Sequence, residues 1–71
     1  MITINEKEFA YSPGLSLKEL VGRYNTEQQK TLAFDGFVVL VNGKALTTLE
    51  AEKKILLDND RILITPLLSG G

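Results

Sequence analysis

Phe37-Val38-Val39-Leu40-Val41 is an unbroken apolar run of strand-forming residues, closed by Asn42-Gly43. A strand that is apolar on both faces belongs in the middle of a sheet, with a neighbour on either edge. Asn-Gly tolerates the positive φ of a tight turn, so Lys44-Ala45-Leu46 is expected to return as a short strand. The other strands must come from elsewhere in the 71 residues. Ile2 and Ile4 alternate with Thr3 and Asn5, which is strand periodicity. Asn5-Glu6-Lys7 can turn the chain, and Glu8-Phe9-Ala10-Tyr11 makes a short second strand of the same hairpin. Near the other end, Ile55-Leu56-Leu57 runs into the turn residues Asp58-Asn59-Asp60. Arg61-Ile62-Leu63-Ile64-Thr65 then forms a last strand, with Ile62 and Ile64 on one face and Arg61, Leu63 and Thr65 on the other. Pro66 lacks an N–H and is expected to stop ladder pairing.

One helix is expected between the first hairpin and the apolar run. Ser12-Pro13-Gly14 is turn punctuation, and Ser16 stands three residues before Glu19 in a capping-box pattern. Leu17, Leu20, Val21 and Tyr24 follow at helical spacing and make one apolar stripe. The helix is placed at about 16–25, with Gly22 weakening its last turn and Asn25 as C-cap. Residues 26–36 are polar and irregular, with room for an extra turn around Glu27–Leu32. Thr47 to Lys54 is a connection with room for one helical turn. The economical way to bury the stripe is one sheet with the helix across one face. Pairing the first and last strands in parallel requires a crossover, of which the helix supplies part. The fold class is therefore α+β, with Ile4, Leu17, Leu20, Val21, Val39, Val41, Ile62 and Ile64 prominent in the core.

Composition excludes several chemistries. The chain has no cysteine and no histidine, which removes disulfides, thiolate nucleophiles, Cys/His zinc sites and His-based triads together. Its net charge of −1 leaves no electrostatic footprint for nucleic acid or an anionic membrane. Lys53-Lys54 is balanced by Glu50, Glu52, Asp58 and Asp60 and is expected on a solvated face. No apolar run approaches the ~20 residues that span a membrane, and Met-Ile-Thr-Ile-Asn carries no basic n-region of a signal peptide. A cytoplasmic location is expected. A chain this small has no room for a deep cleft, so an enzyme acting alone is not expected. Asp58 and Asp60 lack the glycine and distal glutamate of a calcium loop and are assigned to the turn. Tyr11 and Tyr24 are assigned to packing, and no metal ligand is expected.

The sequence ends Leu67-Leu68-Ser69-Gly70-Gly71. Two glycines without Cβ atoms can enter a slot too narrow for any other residue, and the final carboxylate is ionised at neutral pH. Fully extended, residues 67–71 reach at most roughly 17 Å. The expected organisation is a domain over 1–66 and a flexible tail over 67–71.

Taken in order, Val41-Asn42-Gly43 after an apolar strand, Asp58-Asn59-Asp60-Arg61-Ile62, and the terminal Gly70-Gly71 resemble the β-grasp, ubiquitin-like sulfur carriers. The likeness covers the whole chain and is nearest to the thiamine-pathway (ThiS-like) type, then to the molybdopterin synthase small subunit (MoaD-like) type. Asp58-Asn59-Asp60 stands where the family usually has Asp-Gly-Asp; Asn accepts left-handed backbone, so the turn can survive. Thr65-Pro66-Leu67-Leu68-Ser69 looks partly like the molybdopterin-type ending, whereas the short N-terminus and length look like the thiamine type.

The resemblance implies a β-grasp fold and a chemistry. An E1-like adenylating enzyme of the ThiF/MoeB type, using ATP and Mg, would adenylate the Gly71 carboxylate, and sulfur would then replace AMP to give a thiocarboxylate. The carrier would deliver that sulfur to an accepting synthase of the thiazole-synthase type. Gly71 is the modified residue, and Leu67, Leu68, Ser69 and Gly70 are the segment that enters the partner's active site. The residues agree independently: without a thiol, transferable sulfur must sit on a group made by modification, and the terminal carboxylate is the obvious acceptor. The partner surface is expected on the sheet face away from the helix, at Leu63 and Thr65 with one parity of Val38 and Leu40. The chain is expected to bind no cofactor itself and to be monomeric when free. A ubiquitin-type protein modifier and a β-grasp interaction module with an incidental Gly-Gly stand as alternatives.

Overall fold

The structure is a computed structural model, and it describes residues 1–67. In chain order the elements are β1 (Ile2–Ile4), β2 (Lys7–Phe9), α1 (Leu17–Gln28), β3 (Phe37–Val41), β4 (Lys44–Leu46), α2 (Thr48–Lys53) and β5 (Arg61–Pro66). The five strands form one sheet in the order β2-β1-β5-β3-β4. β1 and β5 run parallel, with Thr3 opposite Arg61 and Ile4 opposite Ile62. Every other pairing is antiparallel. α1 lies across one face, the β-grasp arrangement.

Alternation decides which side chains face the helix. Ile2 and Ile4 on β1, Val39 and Val41 on β3, and Ile62 and Ile64 on β5 are buried against Leu17, Leu20, Val21 and Tyr24 of α1. All eight residues expected in the core are there. Phe9 on β2 meets Tyr24 with ring centroids 6.4 Å apart, in a tilted pair. Leu15, Ala51 and Leu56 complete the cluster. Leu56 is held in the core by backbone pairing: its N–H donates to Leu15 O at 2.8 Å, and Leu17 N–H donates to Lys54 O at 3.0 Å.

Several boundaries differ from the sequence expectation, each for a local reason. The first turn is two residues long. Asn5 and Glu6 both have positive φ (47° and 69°), the geometry of a primed hairpin turn that matches strand twist. That places Ile4 opposite Lys7 and Ile2 opposite Phe9, so β2 is Lys7–Phe9 rather than Glu8–Tyr11. α1 runs three residues past Asn25 and is capped by Gln29 in the left-handed region. Asn25 is not the cap, because its side chain reaches sideways to the backbone of Leu32, donating to its O and accepting from its N, both at 2.9 Å. The 47–54 connection holds α2, started by a full capping box. Glu50 N–H donates to Thr47 Oγ1 at 3.1 Å, and Thr47 N–H donates to Glu50 Oε1 at 2.9 Å.

Pro66 does not stop the pairing. β5 includes it, opposite Phe37, and Leu67 N–H still donates to Gly36 O at 2.9 Å. Hydrogen-bonded positions alternate along an antiparallel pair. Gly36–Leu67 and Asn42–Arg61 are bonded positions, so Phe37–Pro66 is a non-bonded one. The missing N–H therefore falls on the side away from β3, and the ladder loses nothing.

Leu20 is fully buried (0% exposed) where helix meets sheet. Leu20→Ala should lower unfolding stability by about 2–5 kcal/mol in denaturant melts. A loss below about 0.5 kcal/mol, the size of a surface effect, would place Leu20 outside the core.

Candidate functional site

The face opposite α1 is built by the other parity of the same strands. Leu40 of β3 stands between Leu63 of β5 and Ala45 of β4, and Val38 stands opposite Thr65. Thr3 of β1 lies between Glu8 and Arg61. No helix or loop among the described residues covers this apolar centre. Leu63 is 46% exposed and Val38 and Leu40 are half-buried. Alternation carries the same face on to Leu67, which is 60% exposed. Leu63, Thr65 and Leu67 therefore stand in line along the last strand. Leu68, Ser69, Gly70 and Gly71 lie outside the described residues.

At one end of this face is a shallow depression whose wall includes Thr3, Glu6, Glu8, Leu40, Arg61 and Leu63. Its rim carries both charge signs around an apolar centre.

The start of β5 is fixed by a polar clamp built around the buried Asp60. Asn42 takes positive φ (53°), followed by Gly43 at 83°, so the Asn-Gly pair is the primed turn between β3 and β4. Its side chain does more than turn the chain. Asn42 Nδ2 donates to Asp60 Oδ1 at 2.9 Å, and Arg61 N–H donates to Asn42 Oδ1 at 2.9 Å. Asp60, only 6% exposed, accepts the Leu57 N–H on its second oxygen at 2.8 Å. Asp60 N–H closes the turn onto Leu57 O at 3.2 Å, with Asn59 left-handed (φ 69°). Asn59 thus does what glycine would do there.

Asp58 and Asp60 point to different partners and do not form a shared site. Asp58 accepts a hydrogen bond from the Met1 amine at 2.8 Å, and that bond holds its carboxyl below the ordinary range. Glu50 is lowered by the hydrogen bonds from the Thr47 backbone and hydroxyl. Both groups are depressed. Their contributions are present above the ordinary carboxylate range and are lost as pH falls through the lowered values. Among the described residues no group of three His, Cys, Asp or Glu side chains could hold a metal ion, and no helix is long and apolar enough to cross a membrane.

Sequence periodicity missed Asn42 as a clamp, because it reads turn residues by their backbone alone. The available signal was Asn42 and Asp60 standing at the adjacent ends of two neighbouring strands.

A family model described as the ThiS family matches residues 2–71 of the chain. No curated protein matches the sequence.

Asp60→Ala strands the Asn42 amide and the Leu57 N–H, and should cost roughly 1–3 kcal/mol of stability. Asn42→Gly keeps the turn's positive φ and should cost a similar amount. Because the two residues share one interaction, the double variant should lose less than the sum of the singles in chemical-denaturation measurements.

Proposed function

We infer the chemistry of this chain from one premise: it belongs to the ThiS family, whose members are small sulfur carriers rather than enzymes. The observation that carries the reading is that the family match extends to Gly71, so the terminal Gly-Gly is part of what relates the chain to other carriers. On this reading the folded domain is a recognition handle and the Gly71 carboxylate is the reacting group.

The steps follow from the poor leaving group of a carboxylate. A carboxylate oxygen of Gly71 attacks the α-phosphorus of ATP bound, with its Mg, to a separate E1-like adenylating enzyme. Pyrophosphate leaves and an acyl-adenylate forms. A sulfur nucleophile at the oxidation level of sulfide then attacks the carbonyl carbon, AMP leaves, and a thiocarboxylate remains. Gly70 keeps side-chain bulk away from the reacting carbon. Leu67, Leu68 and Ser69 lead the carboxylate into the partner's channel. The exposed line of Leu63, Thr65 and Leu67, beside half-buried Val38 and Leu40, supports docking of the activating enzyme on the sheet face away from α1. The thiocarboxylate next passes its sulfur to an accepting synthase. We favour thiazole formation for thiamine as the destination, on the match to the ThiS family model over residues 2–71. The Thr65–Ser69 segment keeps a molybdopterin-type destination as the second reading.

ATP–pyrophosphate exchange with the cognate adenylating enzyme tests the chemistry. Deleting Gly71, or appending one residue after it, shifts the carboxylate by roughly 3.5 Å and should reduce exchange about 100-fold or more while leaving the melting temperature unchanged. Equal exchange from native, deleted and extended forms would overturn the carrier reading. Intact mass after reaction with a sulfur donor should show one oxygen exchanged for sulfur; adducts on other proteins instead would favour a modifier.

Docking is tested separately by Leu63→Asp. This variant should raise KM for the carrier roughly tenfold, about 1.4 kcal/mol, with kcat retained at saturation. An unchanged KM would remove Leu63 from the docking face.

A further inference from the structure

β5 is longer than the strand beside it. β1 ends at Ile4, where the chain enters the Asn5-Glu6 turn, yet β5 continues through Pro66. Past Ile62 its β1-side edge would therefore present unpaired backbone groups. Asn5 takes over that edge. Its own N–H donates to Ile62 O at 2.9 Å as the last bond of the parallel ladder. Its side chain then acts as a surrogate strand. Ile64 N–H donates to Asn5 Oδ1 at 2.8 Å, and Asn5 Nδ2 donates to Ile64 O at 3.1 Å. The next inward-facing N–H on this edge would be that of residue 66, which is proline and has none. On the opposite edge Leu67 N–H is held by Gly36 O. Gly36 takes φ +80° in the turn closed by Phe37 N–H donating to Phe34 O at 3.1 Å. The last stretch of β5 is thus gripped from both sides, by one side chain and one turn carbonyl.

We propose that Asn5 is a positioning residue for the reaction at the C-terminus: by clamping Ile64 it fixes where Leu67 stands and in which direction the chain leaves the sheet. The proposal rests on the sulfur-carrier reading above. Ile64 stands opposite Val39 at a non-bonded position of the β3 pair, so its backbone N–H and C=O find their partner in Asn5, and losing the clamp loosens the strand at that point as well as lowering stability. The loosening falls on Thr65, Pro66 and Leu67. If these residues are released, they must be ordered again each time the terminal carboxylate is aligned with ATP, which slows the aligned reaction more than it weakens docking.

Asn5→Gly is the cleanest variant. It keeps the left-handed backbone the hairpin turn requires and removes only the clamp. Asn5→Asp keeps the acceptor for Ile64 N–H and removes the donor. In ATP–pyrophosphate exchange with the adenylating enzyme, Asn5→Gly should lower kcat roughly tenfold with KM for the carrier unchanged, and Asn5→Asp should fall between it and the native protein. In the free protein, backbone amide order parameters at Thr65 and Leu67 should drop in Asn5→Gly while those of Val39 and Val41 hold. A native kcat in Asn5→Gly, or a raised KM with native kcat, would overturn the positioning role while native exchange leaves the carrier reading standing. So would unchanged order at Thr65 and Leu67. A native protein inactive in exchange would overturn both together. Should Asn5→Gly fail to fold, Asn5→Asp carries the same test, and a native kcat there together with native order at Leu67 would overturn the proposal.

Discussion

The parallel contact between β1 and β5 is the constraint from which the rest of this fold follows. It joins the first and last strands at the centre of the sheet through two opposed pairs, Thr3–Arg61 and Ile4–Ile62. Two parallel strands cannot be joined by a tight turn. The chain between them must cross over the sheet on its way, and α1 is the part that crosses the face. That crossing gives Leu17, Leu20, Val21 and Tyr24 a surface of isoleucines and valines to cover. It also means that the chain's last strand is an interior strand, bordered by β3 along its length and by β1 up to Ile62. A ladder this short needs its ends secured. Thr3 N–H donates to Asp60 O at 3.1 Å at one end, next to the Asn42–Asp60 clamp, and Asn5 secures the other.

The elements that periodicity reports were legible in the sequence. The unbroken run Phe37–Val41 is an interior strand, the Leu17–Tyr24 stripe is the inner face of α1, and the alternation at Ile62 and Ile64 correctly places Leu63 and Thr65 on the other side of the sheet. Burial of apolar side chains produces those features, and burial leaves a periodic trace. What the sequence hid is mostly the work of asparagine. Asn5, Asn25 and Asn42 each use an amide to satisfy backbone groups of a neighbouring segment. Such contacts have no period, because they depend on where two remote segments end. Asn25 shows the cost. Its type suits a helix cap, yet it sits inside α1 and serves the loop at Leu32, while the polar Thr26-Glu27-Gln28 turn that extends the helix has no apolar residue to announce it. α2 was a different case, since Thr47 and Glu50 spell the same cap pattern as Ser16 and Glu19, without a long apolar stripe after it.

The candidate site divides in the same way. The face that carries Leu63 and Thr65 was legible because a strand parity is enough to place it. Gly70 and Gly71 drew notice because no packing argument requires two glycines after Pro66-Leu67-Leu68-Ser69, and they lie outside the described residues. The link between the halves was not legible. Proline was expected to end the pairing, and only the register shows why it does not: opposite Phe37 the missing N–H faces the edge that Asn5 has already closed. An unpaired strand edge invites other chains. Here the edge of β5 beyond β1 offers no free donor between Ile62 and Leu67, so the strand can extend past its neighbour without becoming a template.

On the sulfur-carrier reading, the shared face of Leu63, Thr65 and Leu67 makes docking and delivery parts of one surface, and covalent geometry bounds the partner. From Leu63 to Leu67 the strand advances about 13 Å at its usual rise. From Leu67 to the Gly71 carboxylate the chain can add at most roughly 17 Å. On the sulfur-carrier reading, an activating enzyme that grips Leu63 must therefore hold the α-phosphate of its ATP within about 30 Å of that grip. The same bound applies to the synthase that accepts the sulfur, if it uses the same face. A partner that reached further would have to release the sheet face before reacting. The docking energy would then no longer help to align the carboxylate, since binding accelerates a reaction only through interactions retained in the transition state. On that reading, holding the first part of the path in place up to Leu67 would let a domain without a thiol contribute to the rate through placement.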